Sequence, residues 1–270
     1  MPVATLPLVL AVVLVELAVG GAFVLWVLDR TRQAPSGFLK LVAGINASAG
    51  GLAFLLLPTL PRTELARQLK LNAAALDSLS VATSFLALLL IVQLIVTFVP
   101  WRTLRGIVGL ASLIVGGAAL IAAAVARPAP DEPFDVLALA ALPLGAVALG
   151  GTDAAMLLGH WYLVTPKLSP LPLQRAAAIV LLSIVLQVVL VAITLIRVQP
   201  ALFLESSLEV ALAIRVGVGL LMTFALVAGA WWTARMNTQS STGLLYVGLG
   251  TVLAGEVAAR VVYYLTGVAV

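Results

Sequence analysis

The chain has 270 residues, 63% of them hydrophobic and 10% charged, with a mean hydropathy of +1.19. A soluble domain is about one quarter charged, so this balance excludes an ordinary water-soluble fold. The absence of cysteine excludes disulfides, thiolate metal sites, iron–sulfur clusters and covalently attached haem, and the net charge of +4 resides in short loops between apolar runs, which points to membrane topology rather than nucleic acid.

Apolar runs of about 20 residues recur along the chain, the length that crosses ~30 Å of hydrocarbon as an α-helix. They lack the short alternating pattern of a barrel strand. The reading is an all-α polytopic membrane protein with eight transmembrane helices, at about 5–28, 38–60, 75–99, 106–126, 135–164, 173–198, 208–234 and 244–267. The first run follows Met1-Pro2-Val3 without a basic leader and is longer than a signal-peptide core, so it is read as a retained helix.

In chain order, the first unusual residue is Glu16, near the middle of span one and followed by the small pair Gly20 and Gly21. A charge in hydrocarbon costs a few kcal/mol, so such a residue faces a bundle interior, either bonded to a neighbouring helix or on a proton path. Span two carries Asn46 and Ser48. Between Pro61 and Asp77, Arg62, Glu64, Arg67 and Lys70 alternate with leucines, which predicts a turn or two of helix on the membrane surface. Span three carries Gln93.

Span five is the most polar. In Gly150-Gly-Thr-Asp-Ala-Ala-Met-Leu-Leu-Gly-His-Trp-Tyr, Asp153 and His160 are seven residues apart and share one helical face. With Tyr162 they form a candidate stripe for a quinone headgroup or a proton; alternatively His160, Trp161 and Tyr162 are an aromatic belt before Thr165-Pro166-Lys167. Span six adds Ser183 and Gln187, and span seven adds Arg215. In span eight, which also carries Thr251, Glu256 precedes Arg260 by four residues, the favourable order for a pair on one helix. Arg215 is expected at the depth of Arg260, which makes Arg215, Glu256 and Arg260 a buried charge cluster with one positive charge in excess. Glu16, Asp77, a lipid phosphate or an anionic ligand would balance it.

Arg30, Arg32, Lys40, Arg102, Arg105, Lys167, Arg175 and Arg235 fall on one side of the membrane. Arg62, Arg67, Lys70, Arg127 and Arg197 fall on the other, mixed with Glu64, Asp77, Asp131, Glu132, Asp135, Glu205 and Glu209. The positive-inside rule then places the first set in the cytoplasm and both termini outside a cell (plasma) membrane. Leu6-Pro-Leu recurs as Leu142-Pro-Leu, and Trp101-Arg-Thr-Leu-Arg is echoed by Trp232-Thr-Ala-Arg. Residues 1–127 and 128–270 therefore read either as two duplicated four-helix halves of one membrane domain or as a chance match in apolar sequence.

One histidine, His160, cannot give bis-histidine haem ligation, and His160 with Met156 on the same turns of helix cannot straddle a haem, which leaves Met222, on a different helix, as a partner and makes a haem an unexpected cofactor. No His/Cys metal spacing, Walker lysine motif or dinucleotide fingerprint occurs.

Residues 17–25, Leu-Ala-Val-Gly-Gly-Ala-Phe-Val-Leu, taken with eight spans in two halves, resemble the polysulfide-reductase type of quinone-handling membrane subunit. That resemblance implies a subunit without its own redox centre, anchored to redox partners, with Glu16, Asp153 and His160 as candidates for quinone or proton contacts. The expected function is thus an integral membrane subunit of a respiratory or electron-transfer complex. The alternatives are a proton-coupled secondary transporter and a purely structural or assembly subunit. Bound phospholipid is expected in each case.

Overall fold

The computed structural model describes residues 2–32, 34–129, 132–165, 169–197, 206–236 and 238–270. Lys167, Asp131 and Glu205, counted above for orientation, lie outside the described residues, as do Pro166 and Asn237. Among the described residues the chain is helical and has no strand. Its helices are α1 (Pro2–Arg30), α2 (Ser36–Leu56), α3 (Thr63–Gln68), α4 (Ala73–Val96), α5 (Arg102–Val125), α6 (Ala138–Val164), α7 (Leu171–Arg197), α8 (Ser206–Ala213), α9 (Thr223–Thr233) and α10 (Thr238–Thr266). A π-helical segment, Ile214–Met222, joins α8 to α9 into one continuous rod.

Eight of these rods are long and apolar enough to cross a membrane, so the chain is a multi-pass membrane protein of the all-α class. The short α3 falls where the alternation of charges and leucines predicts a surface helix. The largest boundary difference is at α10, which begins at Thr238 although the Ser/Thr-rich stretch reads as a loop. There the hydroxyls bond to helix carbonyls: Thr242 Oγ1 donates to Thr238 O at 2.7 Å and Ser241 Oγ to Ala230 O of α9 at 2.8 Å. With their donors satisfied in this way, the polar residues stay in the helix.

Contacts along the chain close two rings of four rods. In the first, α1, α2, α4 and α5 pack in cyclic order, and in the second α6, α7, the α8–α9 rod and α10 do the same. The rings meet where α1 packs on α6, the most extensive helix pair in the molecule. Both of these helices are 78% buried over their apolar windows, against 28% for Leu208–Thr233. Many large apolar side chains point outward instead, among them Phe85, Ile114, Leu182 and Leu221, as lipid-facing positions require.

The α1–α6 crossing depends on small residues. A Cβ on Gly20 would collide with the Ala146 carbonyl, and one on Gly150 with the backbone of Leu17, Gly20 and Gly21. Ala146 and Gly150 are four apart on α6, the small-xxx-small spacing that lets two backbones touch within a bilayer. Without a hydrophobic driving force between helices in lipid, this close fit is what holds the two rings together.

Loops bind each face. On one, Arg127 donates to the carbonyls of Leu69 (3.2 Å), Lys70 (3.0 Å) and Leu265 (3.0 Å), and Asp135 Oδ2 accepts from Ala269 N (2.9 Å). On the other, Asp29 pairs with Arg105 and Gly37 packs on the Trp161 ring. The second face carries Arg30, Arg32, Lys40, Arg102, Arg105, Arg175 and Arg235, and is called here the arginine-rich face.

Overpacking a close contact costs about 1–3 kcal/mol. Gly150→Val is therefore expected to lower the thermal unfolding midpoint in detergent, followed by tryptophan fluorescence. Gly117→Val, where a Cβ meets open space, is expected to leave the midpoint unchanged. Equal midpoints for the two variants would show that the crossing is not the constraint described.

Candidate functional site

Four of the intramembrane charges gather in one place. Glu256 sits between two arginines: Arg215 Nη1 donates to its Oε1 at 2.9 Å, and Arg260 Nη2 to its Oε2 at 2.9 Å. Arg260 Nη2 also lies 2.6 Å from Glu16 Oε1. The order Glu16, Arg260, Glu256, Arg215 thus alternates in sign, with two carboxylates against two guanidiniums. All four side chains are 0–1% exposed. The positive excess expected from Arg215, Glu256 and Arg260 alone is met by Glu16 of α1, whereas Asp77 is exposed at the start of α4.

Each helix contributes for a local reason. Glu256 and Arg260 are one turn apart on α10, so a single rotation aims both inward. Arg215 stands in the π-helical segment, whose wider turn is marked by the backbone N–H of Thr223 donating to the Val218 carbonyl five residues back. Gly219 in that segment lies against Gly255 of α10, which brings the two rods close enough for Arg215 to reach Glu256. On α6, Gly145 leaves room for the ions, because a Cβ there would stand 2.5 Å from both Arg260 Nη2 and Glu256 Oε2.

Uncharged groups complete the shell around Arg215. Its Nη2 donates to Gln187 Oε1 of α7 at 2.5 Å and its Nε to the Val270 carbonyl at 3.1 Å. Gln187 Nε2 and Ser183 Oγ both donate to the Leu144 carbonyl, at 3.3 and 2.7 Å. Thr194 Oγ1 donates to the Ala269 carbonyl at 2.8 Å, so the segment after α10 is tied back against the cluster. The contribution of Val270 and Leu144 carbonyls has no signature in side-chain chemistry. Gln187 and Ser183 are visible in the sequence as intramembrane polar residues, but the bond from Arg215 to Gln187, and the support Ser183 gives beside it, are not.

Part of the network is left open. Glu16 Oε1 faces Arg260 out of line for a hydrogen bond, and Glu16 Oε1, Glu16 Oε2 and Arg260 Nε have no hydrogen-bond partner among the described residues. An ion network serving only to hold helices together gains most when every group is satisfied.

The remaining candidates lie along α6. Asp153 is buried, 7% exposed, and its Oδ2 has no hydrogen-bond partner among the described residues. His160 is exposed and its Nδ1 stands 2.9 Å from the Tyr246 hydroxyl of α10, with the two rings edge to face. Tyr162 is buried and its hydroxyl donates to the Ser169 carbonyl. Asp153 and His160 thus share a helix face but not an environment, and no contact joins them. By the rise of an α-helix, Asp153 is about 12 Å beyond Gly145 and about 10 Å short of His160. No group of three or more His, Asp or Glu side chains fit to hold a metal ion occurs among the described residues.

Removing one member of a buried ion pair costs about 3–5 kcal/mol because its partner is left uncompensated. Arg260→Met alone strands Glu16, so it is expected to destabilise the protein more than Glu16→Gln together with Arg260→Met, which leaves the Arg215–Glu256 pair intact. Thermal unfolding in nanodiscs measures the coupling; additive losses would rule out the pairing.

Compared with protein-family models, curated proteins and solved structures, the chain matches none of them.

Proposed function

We propose that this membrane protein carries protons through its interior, between the Glu16–Arg260–Glu256–Arg215 network and the arginine-rich face, as the integral membrane subunit of an electron-transfer complex. The observation that supports the reading is a pair of buried carboxyls each with an oxygen that lacks a hydrogen-bond partner among the described residues: Asp153 Oδ2 on α6, and Glu16 Oε2 beside the 2.6 Å charge contact of Glu16 with Arg260. Each is costly in an apolar interior unless it is protonated or met by water. Such groups are the usual material of intramembrane proton relays.

In this reading α6 is the track. Its Gly145 touches the ion network, Asp153 is the intermediate station and His160 with Tyr246 is the exit. The gaps of about 12 and 10 Å exceed hydrogen-bond reach and are bridged by water. The likeness of residues 17–25 and of the span count to polysulfide-reductase type subunits extends the reading to a quinone held near Asp153 and Tyr162 and to redox partner subunits. The positive-inside rule adds the orientation, with the arginine-rich face in the cytoplasm of a cell whose plasma membrane the protein crosses.

One feature favours a proton-coupled transporter as the second reading. Arg215 is held in a π-helical stretch with Gly217 and Gly219, and π segments mark places where a helix changes register at functional sites. The two readings differ in what the isolated chain does.

Proteoliposomes containing the chain alone, with a pH-sensitive dye inside and an imposed potential, test the shared core of both. Proton entry is expected to exceed that of empty vesicles and to fall to their level in Asp153→Asn and in Glu16→Gln. Flux unchanged in both variants would sink the proton path. Quinone and redox subunits recovered by mass spectrometry after mild purification are expected for the first reading, whereas substrate-dependent flux by the chain alone supports the second.

A further inference from the structure

A second polar region, in the first ring, takes no part in the proton path. At the arginine-rich face the ends of α1, α2, α4 and α5 enclose a cavity of about 470 Å³, within the range of small-ligand sites. Its wall carries four arginines, Arg30, Arg32, Arg102 and Arg105, and one carboxylate, Asp29. Asp29 is fully engaged: Arg105 Nη2 and Nε donate to its two oxygens at 3.1 and 3.2 Å, and Arg102 Nη2 donates to its backbone carbonyl at 2.6 Å. Three arginines therefore remain without a carboxylate partner among the described residues.

These arginines are positioned rather than merely exposed. Arg30 stacks its guanidinium 4.0 Å above the Trp26 ring, and Trp26 Nε1 in turn donates to the Gly106 carbonyl of α5 at 3.1 Å. Arg32 turns back at a positive φ of 59°. Gln93 of α4 lines the same cavity, is 4% exposed, and its Oε1 has no hydrogen-bond partner among the described residues. The other wall is apolar: Leu25 and Leu39 are buried, while Ile107 (61%) and Leu110 (45%) are exposed on the flank of α5.

We propose that this cavity binds a phosphate ester, with the phosphate between Arg30, Arg32 and Arg102 and a ligand hydroxyl donating to Gln93 Oε1. Guanidiniums match phosphate oxygens in planar, paired hydrogen bonds, and a stacked arginine loses little freedom on forming them. The cavity is larger than a bare phosphate requires, and its apolar flank opens at Ile107 and Leu110 on the side where acyl chains run. An anionic phospholipid headgroup with a free hydroxyl fits both walls; a soluble phosphorylated alcohol shares the same phosphate chemistry.

The experiment compares native mass spectra of the detergent-purified chain titrated with phosphatidylglycerol, with phosphatidic acid, with phosphatidylcholine, and with glycerol 3-phosphate. The variants are Arg30→Gln with Arg102→Gln, Gln93→Leu, and Arg175→Gln. Arg175 is exposed on the same face outside the cavity and controls for general surface charge. Asp29 and Arg105 are left in place so that the ion pair joining α1 to α5 survives.

Retention of phosphatidylglycerol over phosphatidylcholine is expected, weakened about tenfold or more in the double arginine variant and unchanged in Arg175→Gln. A smaller loss in Gln93→Leu for the hydroxyl-bearing lipid, and none for phosphatidic acid, is expected if Gln93 reads the hydroxyl. Retention of glycerol 3-phosphate without lipid, lost in the double variant, supports the site and assigns it to a soluble ester. No retention of any phosphate compound, or equal weakening in Arg175→Gln and the double variant, overturns the proposal.

Discussion

Glu256 binds two guanidiniums with all three side chains 0–1% exposed, and the arrangement of the second ring follows from that. Its two oxygens are taken by different helices' arginines, Arg215 from the π-helical segment and Arg260 from its own helix. Each ion would be expensive alone, by several kcal/mol even after relaxation. The helices that bear them have to stay at fixed depth and rotation for the charges to cancel. Gln187 and the Val270 carbonyl then take two more of the Arg215 donors, drawing α7 and the segment after α10 into the same constraint.

Glu16 links this constraint to the other ring. It is the only charged residue of the first ring within the network, and it arrives there on the helix that packs most closely on α6. The glycine-lined crossing of α1 on α6 and the Glu16–Arg260 contact depend on each other, since a shift along either helix would separate carboxylate from guanidinium. A cross-ring contact made by charge, without the alignment of a hydrogen bond, is also the looser part of the network.

The fold was legible because hydrocarbon thickness imposes a length, and runs of apolar residues of that length cannot be read otherwise. Arg215, Glu256 and Arg260 were likewise legible as one cluster, since helix spacing and alternating direction bring them to one depth. What could not be read was which helix neighbours which: Glu16 reaches Arg260 only because α1 lies in the seam between rings, and no spacing within α1 says so. The shared face of Asp153 and His160 was correctly periodic but silent about burial. The neighbours on α1, α7 and α10 decide that one is enclosed while the other meets Tyr246 at the surface. The helix-end residues Arg30, Arg102 and Arg105 read only as topology signals, because a cavity between the ends of four helices has no pattern in any one of them.

The two rings treat positive charge in opposite ways. In the second, Arg215 and Arg260 are buried and matched by carboxylates and carbonyls, so these two present no free charge to a ligand. In the first, the interior holds uncharged polar groups such as Asn46, Thr83 and Gln93, and the arginines stay at the face, three of them unmatched around an open cavity. Positive charge is thus cancelled inside the bundle in one ring and left at the membrane face in the other, where an anion from water or from the lipid headgroups can meet it.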